Sequence, residues 1–151
     1  MPTETPHNLA KNKIELSEDQ KKALGYLLNW YKSDKRSAFV TLGGYAGTGK
    51  TTLISIFRNE LNATRKGLKV AFCSYTGKAA RVLQNKIDET DSSFLQDTVS
   101  TIHSLIYSPQ VNEKEEITGW KLKDELEADL IIIDEASMVD EKIWQDLLSF
   151  D

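Results

Sequence analysis

The chain has 151 residues, 19 Lys+Arg against 23 Asp+Glu, a formal net charge of −4 and 40% hydrophobic content. That composition lies near the globular norm and excludes a disordered chain, a collagen-like one and a polytopic membrane protein. Charge is unevenly spread: residues 41–86 hold eight basic residues and one acidic, whereas 87–151 hold four basic and seventeen acidic, so the middle of the chain points to an anionic partner.

In chain order, residues 1–13 are polar, lack the apolar core of a secretory signal and read as a flexible leader. Ser17-Glu18-Asp19-Gln20 matches a capping box, with Leu16 placed for a hydrophobic staple. Ala23, Leu24, Leu27, Leu28 and Tyr31 then predict an amphipathic helix to about Lys32. Residues 38–42 are apolar and β-branched and predict a buried strand running into Gly43-Gly44. A second helix is predicted over 49–63, with Leu53, Ile56, Phe57 and Leu61 on one side and Gly67 as its stop signal.

Residues 68–75 predict a second buried strand with Cys73 packed inside it. As the sole cysteine, Cys73 permits no internal disulfide and fits a reducing compartment, the cytoplasm. The spacing predicts a helix over 77–87, with Ala79, Ala80, Leu83 and Ile87 inward and Lys78, Arg81 and Lys86 outward. A polar loop follows at 88–97, then a small hairpin from stretches 102–111 and 117–122 around the charged turn 112–116. Residues 130–134 are the clearest strand, and 140–148 begin another helix. Trp30 and Trp144 read as helix-to-sheet packing.

Strands alternating with helices predict an α/β fold, a parallel sheet flanked by helices. Only three core strands are predicted and the chain stops soon after a helix begins, so 14–151 reads as a partial domain.

Two motifs carry the chemistry. Gly44-Tyr45-Ala46-Gly47-Thr48-Gly49-Lys50-Thr51 satisfies G-x-x-x-x-G-K-[ST], between a predicted strand and a predicted helix. Glycines let consecutive N–H groups turn inward onto phosphate oxygens, and the helix start adds its positive dipole end. Lys50 supplies a mobile charge for the terminal phosphates of ATP, the Thr51 hydroxyl a ligand for Mg²⁺, and Thr52 extends the nucleotide-binding stretch. Downstream, Ile131-Ile132-Ile133-Asp134-Glu135 ends a strand in adjacent carboxylates, where parallel sheets bind ligands. Asp134 there would hold the metal shell, and Glu135 would orient and deprotonate an attacking water. A nucleotide kinase, another P-loop NTPase or a nucleotide-binding subunit of an exodeoxyribonuclease V-like complex are the alternatives.

Asp134-Glu135-Ala136-Ser137-Met138, taken with Thr76-Gly77-Lys78-Ala79-Ala80, resembles the RecD-like branch of superfamily 1 DNA helicases, which includes Dda-like enzymes. The segments from Leu16 to Gln20 and from Ser100 to Leu105 agree, and the likeness runs from Leu16 to Phe150. It implies a RecA-like P-loop NTPase motor domain that works with a second, absent one, binding ATP between them and moving 5′-to-3′ on single-stranded DNA toward duplex junctions. It also implies helicase activity in recombination and repair, with repair-complex subunits as possible partners; no membrane association is expected, because the apolar runs fall far short of the ~20 residues a spanning helix needs. By the same resemblance Gln20 would read adenine, or else only close its capping box. Thr76, Lys78, Thr101 and His103 would lie near the DNA backbone, although Lys78 could equally be solvated and His103 half-buried. The hairpin, at about 105–123, sits where relatives carry a pin that parts the duplex, with Trp120 to stack on a base or to cover the core. Motif III and the later arginines are missing from the 151 residues, so this fragment alone is expected to bind ATP·Mg²⁺ weakly and not to turn it over.

Overall fold

The computed structural model describes residues 14–150; the leader and its expected flexibility lie outside the described residues. Helix α1 (Glu18–Lys32) opens on the expected capping box: Ser17 Oγ accepts from the Gln20 N–H, and Gln20 Oε1 accepts from the Ser17 N–H at 2.9 Å. Helix α2 (Lys50–Thr64) precedes strand β1 (Val70–Ser74), and helix α3 (Gly77–Glu89) precedes strand β2 (Thr98–Thr101). A short helix α4 (Ile102–Ile106) leads into the hairpin β3 (Tyr107–Val111) and β4 (Ile117–Leu122). Strand β5 (Leu130–Ile133), a 3-10 turn (Ala136–Met138) and helix α5 (Glu141–Leu148) complete the order.

Three parallel strands in the order β2-β1-β5 make the sheet, with β1 central and fully buried. Side-chain alternation along β1 divides the core. Val70 and Phe72 pack with Leu27 of α1, Phe57 and Leu61 of α2 and Leu83 and Ile87 of α3, while Ala71 and Cys73 pack with Ile102 and Ile106 of α4 and Leu147 of α5. The result is helices on both faces of a parallel sheet, as α/β patterning requires. Burial pushes the Cys73 thiol up to about 12, so it stays a neutral packing group.

Two expectations need correction. Residues 38–42 form no strand: the segment has no backbone partners, Phe39 is 46% exposed, and Val40 and Leu42 are only half-buried. Its side chains nevertheless alternate, Val40 and Leu42 against the α1/α2 face and Phe39 edge-on to Trp144 at 4.9 Å. Local β-propensity sets an extended backbone, but a ladder needs a partner about 4.8 Å away, which propensity cannot supply. Second, 102–106 is helical, because Thr101 caps it and both Ile102 and Ile106 must turn to one buried face. Beyond these, 98–101 is a sheet strand that its composition does not signal. At four residues with only Val99 strongly apolar, it pairs as an edge to β1 through residues such as Val99 and Ser100.

The loop before β2 also holds an unforeseen clamp. Arg58 of α2 is fully buried and bridges Asp97 through two 2.8 Å bonds, while its Nη2 also donates to the Leu68 carbonyl at 3.2 Å. Phe94 lies 4.2 Å from the guanidinium, and Asp97 further accepts from the Val70 N–H. A charge this buried survives only when paired and hydrogen-bonded, and the pairing ties α2 to the starts of β1 and β2.

Candidate functional site

Direction of travel settles which residues share a rim. Arg65, just past α2, reaches Asp129 at 3.4 Å, and Asp129 accepts from the Lys69 N–H at 2.9 Å; both partners precede strand starts. The fifteen residues of α2 rise ~22 Å, more than strands of four or five residues, which span ~13–17 Å. The other end of α2 therefore projects at the rim where the strands finish. Asp134 and Glu135 follow β5 at that rim, and Thr76 and Thr101 follow β1 and β2 there.

At that rim α2 differs from its neighbours. Among the described residues, side chains cap the first turns of α1, α3, α4 and α5 through Ser17, Thr76, Thr101 and Asp140. Helix α2 starts instead at Gly49, left-handed at φ 81° and with no side-chain cap. The first intrahelical bond runs from the Leu53 N–H to the Gly49 carbonyl, which leaves the N–H groups of Lys50, Thr51 and Thr52 without helical acceptors. Orphan donors plus the dipole make an anion site.

The loop ahead of it is shaped for close approach. Thr48 Oγ1 donates to the Tyr45 carbonyl at 2.7 Å, and a Cβ on Gly44 would come within 2.8 Å of that hydroxyl. Gly47 is left-handed at φ 78°, a conformation that costs other residues ~1–2 kcal/mol. Lys50 Nζ folds back onto the carbonyls of Gly44 and Tyr45 at 2.7 and 2.9 Å, within the loop it would serve. Tyr45 itself is 90% exposed at the loop tip, and Ala46 is exposed beside it. Gln20 reaches across from α1: its Nε2 donates to the Thr48 carbonyl at 3.0 Å, while its Oε1 serves the cap. One N–H and one lone pair of that amide remain, the complement that an adenine edge offers.

The acids come from β5. The Asp134 N–H bonds the Cys73 carbonyl at 2.9 Å, extending the ladder one residue beyond the strand. Glu135 is left-handed at φ 56°, exposed, and starts the turn that carries the chain away toward α5. Among the described residues no cluster of three or more His, Cys, Asp or Glu could hold a metal. The donors present, one hydroxyl and one carboxylate beside a phosphate cradle, fit a magnesium that keeps waters and leans on phosphate oxygens.

The expected DNA-side residues divide. Thr76 accepts from the Ala79 N–H at 3.2 Å, and Thr101 accepts from the Ser104 N–H at 3.1 Å while donating to Ser104 Oγ, so both hydroxyls already cap helices. Lys78 is exposed on the first turn of α3. His103 and Trp120 are brought together, edge-on at 4.6 Å, with Tyr107 4.7 Å from the same imidazole. Trp120 remains 50% exposed, so it does not serve as a core cover. The Tyr107 hydroxyl donates to Asp146 of α5; that bond pushes the phenol up to about 12 and, with Lys142, holds the carboxyl below its ordinary range. The hairpin is thereby fastened to the helix that follows the acids. A groove of about 370 Å³ between α3 and β2 adds Arg81, Gln84 and Ser104 beside Thr101. Of these, Arg81 was legible as an outward charge, but only pairing of β2 reveals the groove.

Residues 15–150 match the family described as AAA domain. Over 137 residues the chain is 31% identical to the ATP-dependent DNA helicase dda of enterobacteria phage T4, covering 89% of this chain and 29% of that protein. It is 33% identical over 138 residues to the ATP-dependent RecD2 DNA helicase of Deinococcus radiodurans, covering 89% and 16%. Against the RecBCD enzyme subunit RecD of Buchnera aphidicola from Acyrthosiphon pisum it is 32% identical over 116 residues, covering 70% and 19%. The chain thus spans less than a third of the length of these relatives. With its parallel sheet, uncapped phosphate loop and strand-end acids, the chain belongs to the AAA domain family and is homologous to the RecD and Dda helicases.

Proposed function

We propose that this chain is the ATP-binding motor unit of an ATP-dependent DNA helicase, coupling ATP hydrolysis to movement on single-stranded DNA and to unwinding at duplex junctions. What supports it is the uncapped start of α2, which the course of the chain from Arg65 and Asp129 puts at the rim where Asp134 and Glu135 follow β5. The N–H groups from Gly47 to Thr52 cradle the phosphates, Lys50 leaves the loop carbonyls for the terminal phosphate oxygens, and Gln20 holds the loop and reads adenine. Thr51 and Asp134 would hold magnesium, which neutralises and orients the β and γ phosphates when bound. Glu135 orients the attacking water and takes its proton. DNA runs over Thr76, Lys78, Thr101 and His103, with Trp120 stacking at the hairpin. A second motor domain and, as the RecD relatives suggest, subunits of a repair complex are the partners, and the cytoplasm is the compartment.

The test is titration of a fluorescent ATP analogue with the chain and its Lys50→Ala variant. Loss of the charge-assisted bonds weakens binding ~10–100-fold. Equal affinity of the two would overturn the reading.

A further inference from the structure

Ser74 is the last residue of β1, fully buried, and its hydroxyl has no hydrogen-bond partner. Buried hydroxyls are normally satisfied, so an orphan at a site rim calls for an explanation. Register supplies one. Cys73 pairs with Ile133, and the bond from the Asp134 N–H to the Cys73 carbonyl carries the pairing one step further, which sets Ser74 beside Asp134. Neighbouring strands lie ~4.8 Å apart and matched residues in a parallel ladder project to the same side. That side is the α2 side: Val70 and Phe72, four and two residues before Ser74, pack with Phe57 and Leu61, as do Leu130 and Ile132 of β5. Ser74 and Asp134 thus stand side by side on the face of the sheet that α2 covers. No motif marks it in the sequence, where it is one more residue of an apolar strand.

We infer that Ser74 is a positioning residue of the nucleotide site, donating its hydroxyl to the Asp134 carboxylate and so aiming that carboxylate at the metal. The inference rests on the nucleotide reading above and adds to it a residue outside both motifs. A serine hydroxyl has one proton to donate, and given to the Asp134 carboxylate it would hold that group in the orientation needed to carry the ion. Outer partners of this type commonly tune metal affinity ~10–100-fold.

The experiment titrates magnesium into the chain with a fluorescent ATP analogue present, for wild type, Ser74→Ala and Ser74→Cys, and repeats nucleotide binding in EDTA. Melting of each nucleotide-free variant is recorded alongside. Ser74→Ala is expected to raise the magnesium midpoint about 10-fold, to leave binding in EDTA unchanged, and to melt no lower than wild type, because no bond is lost. Ser74→Cys keeps the volume with a weak donor and falls between the two. A wild-type magnesium midpoint in Ser74→Ala overturns the inference while leaving the nucleotide reading intact. Equal weakening with and without magnesium also overturns it, since that marks a general disturbance of the loop. Absence of magnesium-dependent binding in the wild type defeats both readings.

Discussion

The start of α2 and the starts of α3 and α4 lie on one rim of one sheet, yet they are finished in opposite ways. At α3 and α4 a threonine side chain takes one N–H of the first turn, that of Ala79 and that of Ser104. At α2 the corresponding position is Gly49, which has nothing to offer its own helix, and the loop before it contributes glycines. The difference teaches that helix starts on one rim can be finished locally or left open. Capped ends gain ~1 kcal/mol each; the uncapped end forgoes that and leaves its first N–H groups without helical acceptors. The threonine hydroxyls at the capped ends are engaged by their caps, whereas Lys78 is exposed on the first turn of α3.

The comparison can be broken most forcefully through the clamp that holds α2 in place. Asp97→Ala leaves Arg58 buried without its partner and should cost ~3–5 kcal/mol in chemical denaturation, with nucleotide affinity falling as α2 loosens. Next in size is Gly49→Ala, which would force a left-handed alanine and bring its Cβ within 2.6 Å of Gln20 Nε2. Strain of ~1–2 kcal/mol is expected in the melt, together with a drop in nucleotide binding. Wild-type values for both would remove the special status of that position. The smallest effects sharpen the contrast. Thr76→Val and Thr101→Val should each cost ~1 kcal/mol, a shift of a few degrees in melting, and leave nucleotide affinity where it was. A loss of nucleotide affinity in either variant would show that the two kinds of helix start are not separable.

Much of this was legible before any coordinates. The capping box, the apolar stripe of α1, the central strand and the strand ending in acids all depend on neighbours close in sequence, and each stands where its residues put it. So does the phosphate loop, whose pattern states a backbone requirement directly. The misses share another cause. Residues 38–42 have the composition of a strand but no ladder, while 98–101 have little of that composition and pair with β1, because pairing is decided by what lies alongside. Asp97 read as a loop acid; only the buried guanidinium of Arg58 makes it structural.

By itself the sequence determined the class of fold and named the candidate loop and acids, since short-range periodicity and a backbone-demanding motif are written in adjacent residues. Tertiary structure alone decided that Gln20 touches the loop, that His103 meets Trp120, and that Ser74 stands unpartnered beside Asp134. Those facts join residues tens of positions apart, and their energies exist only once the strands have chosen their order and register.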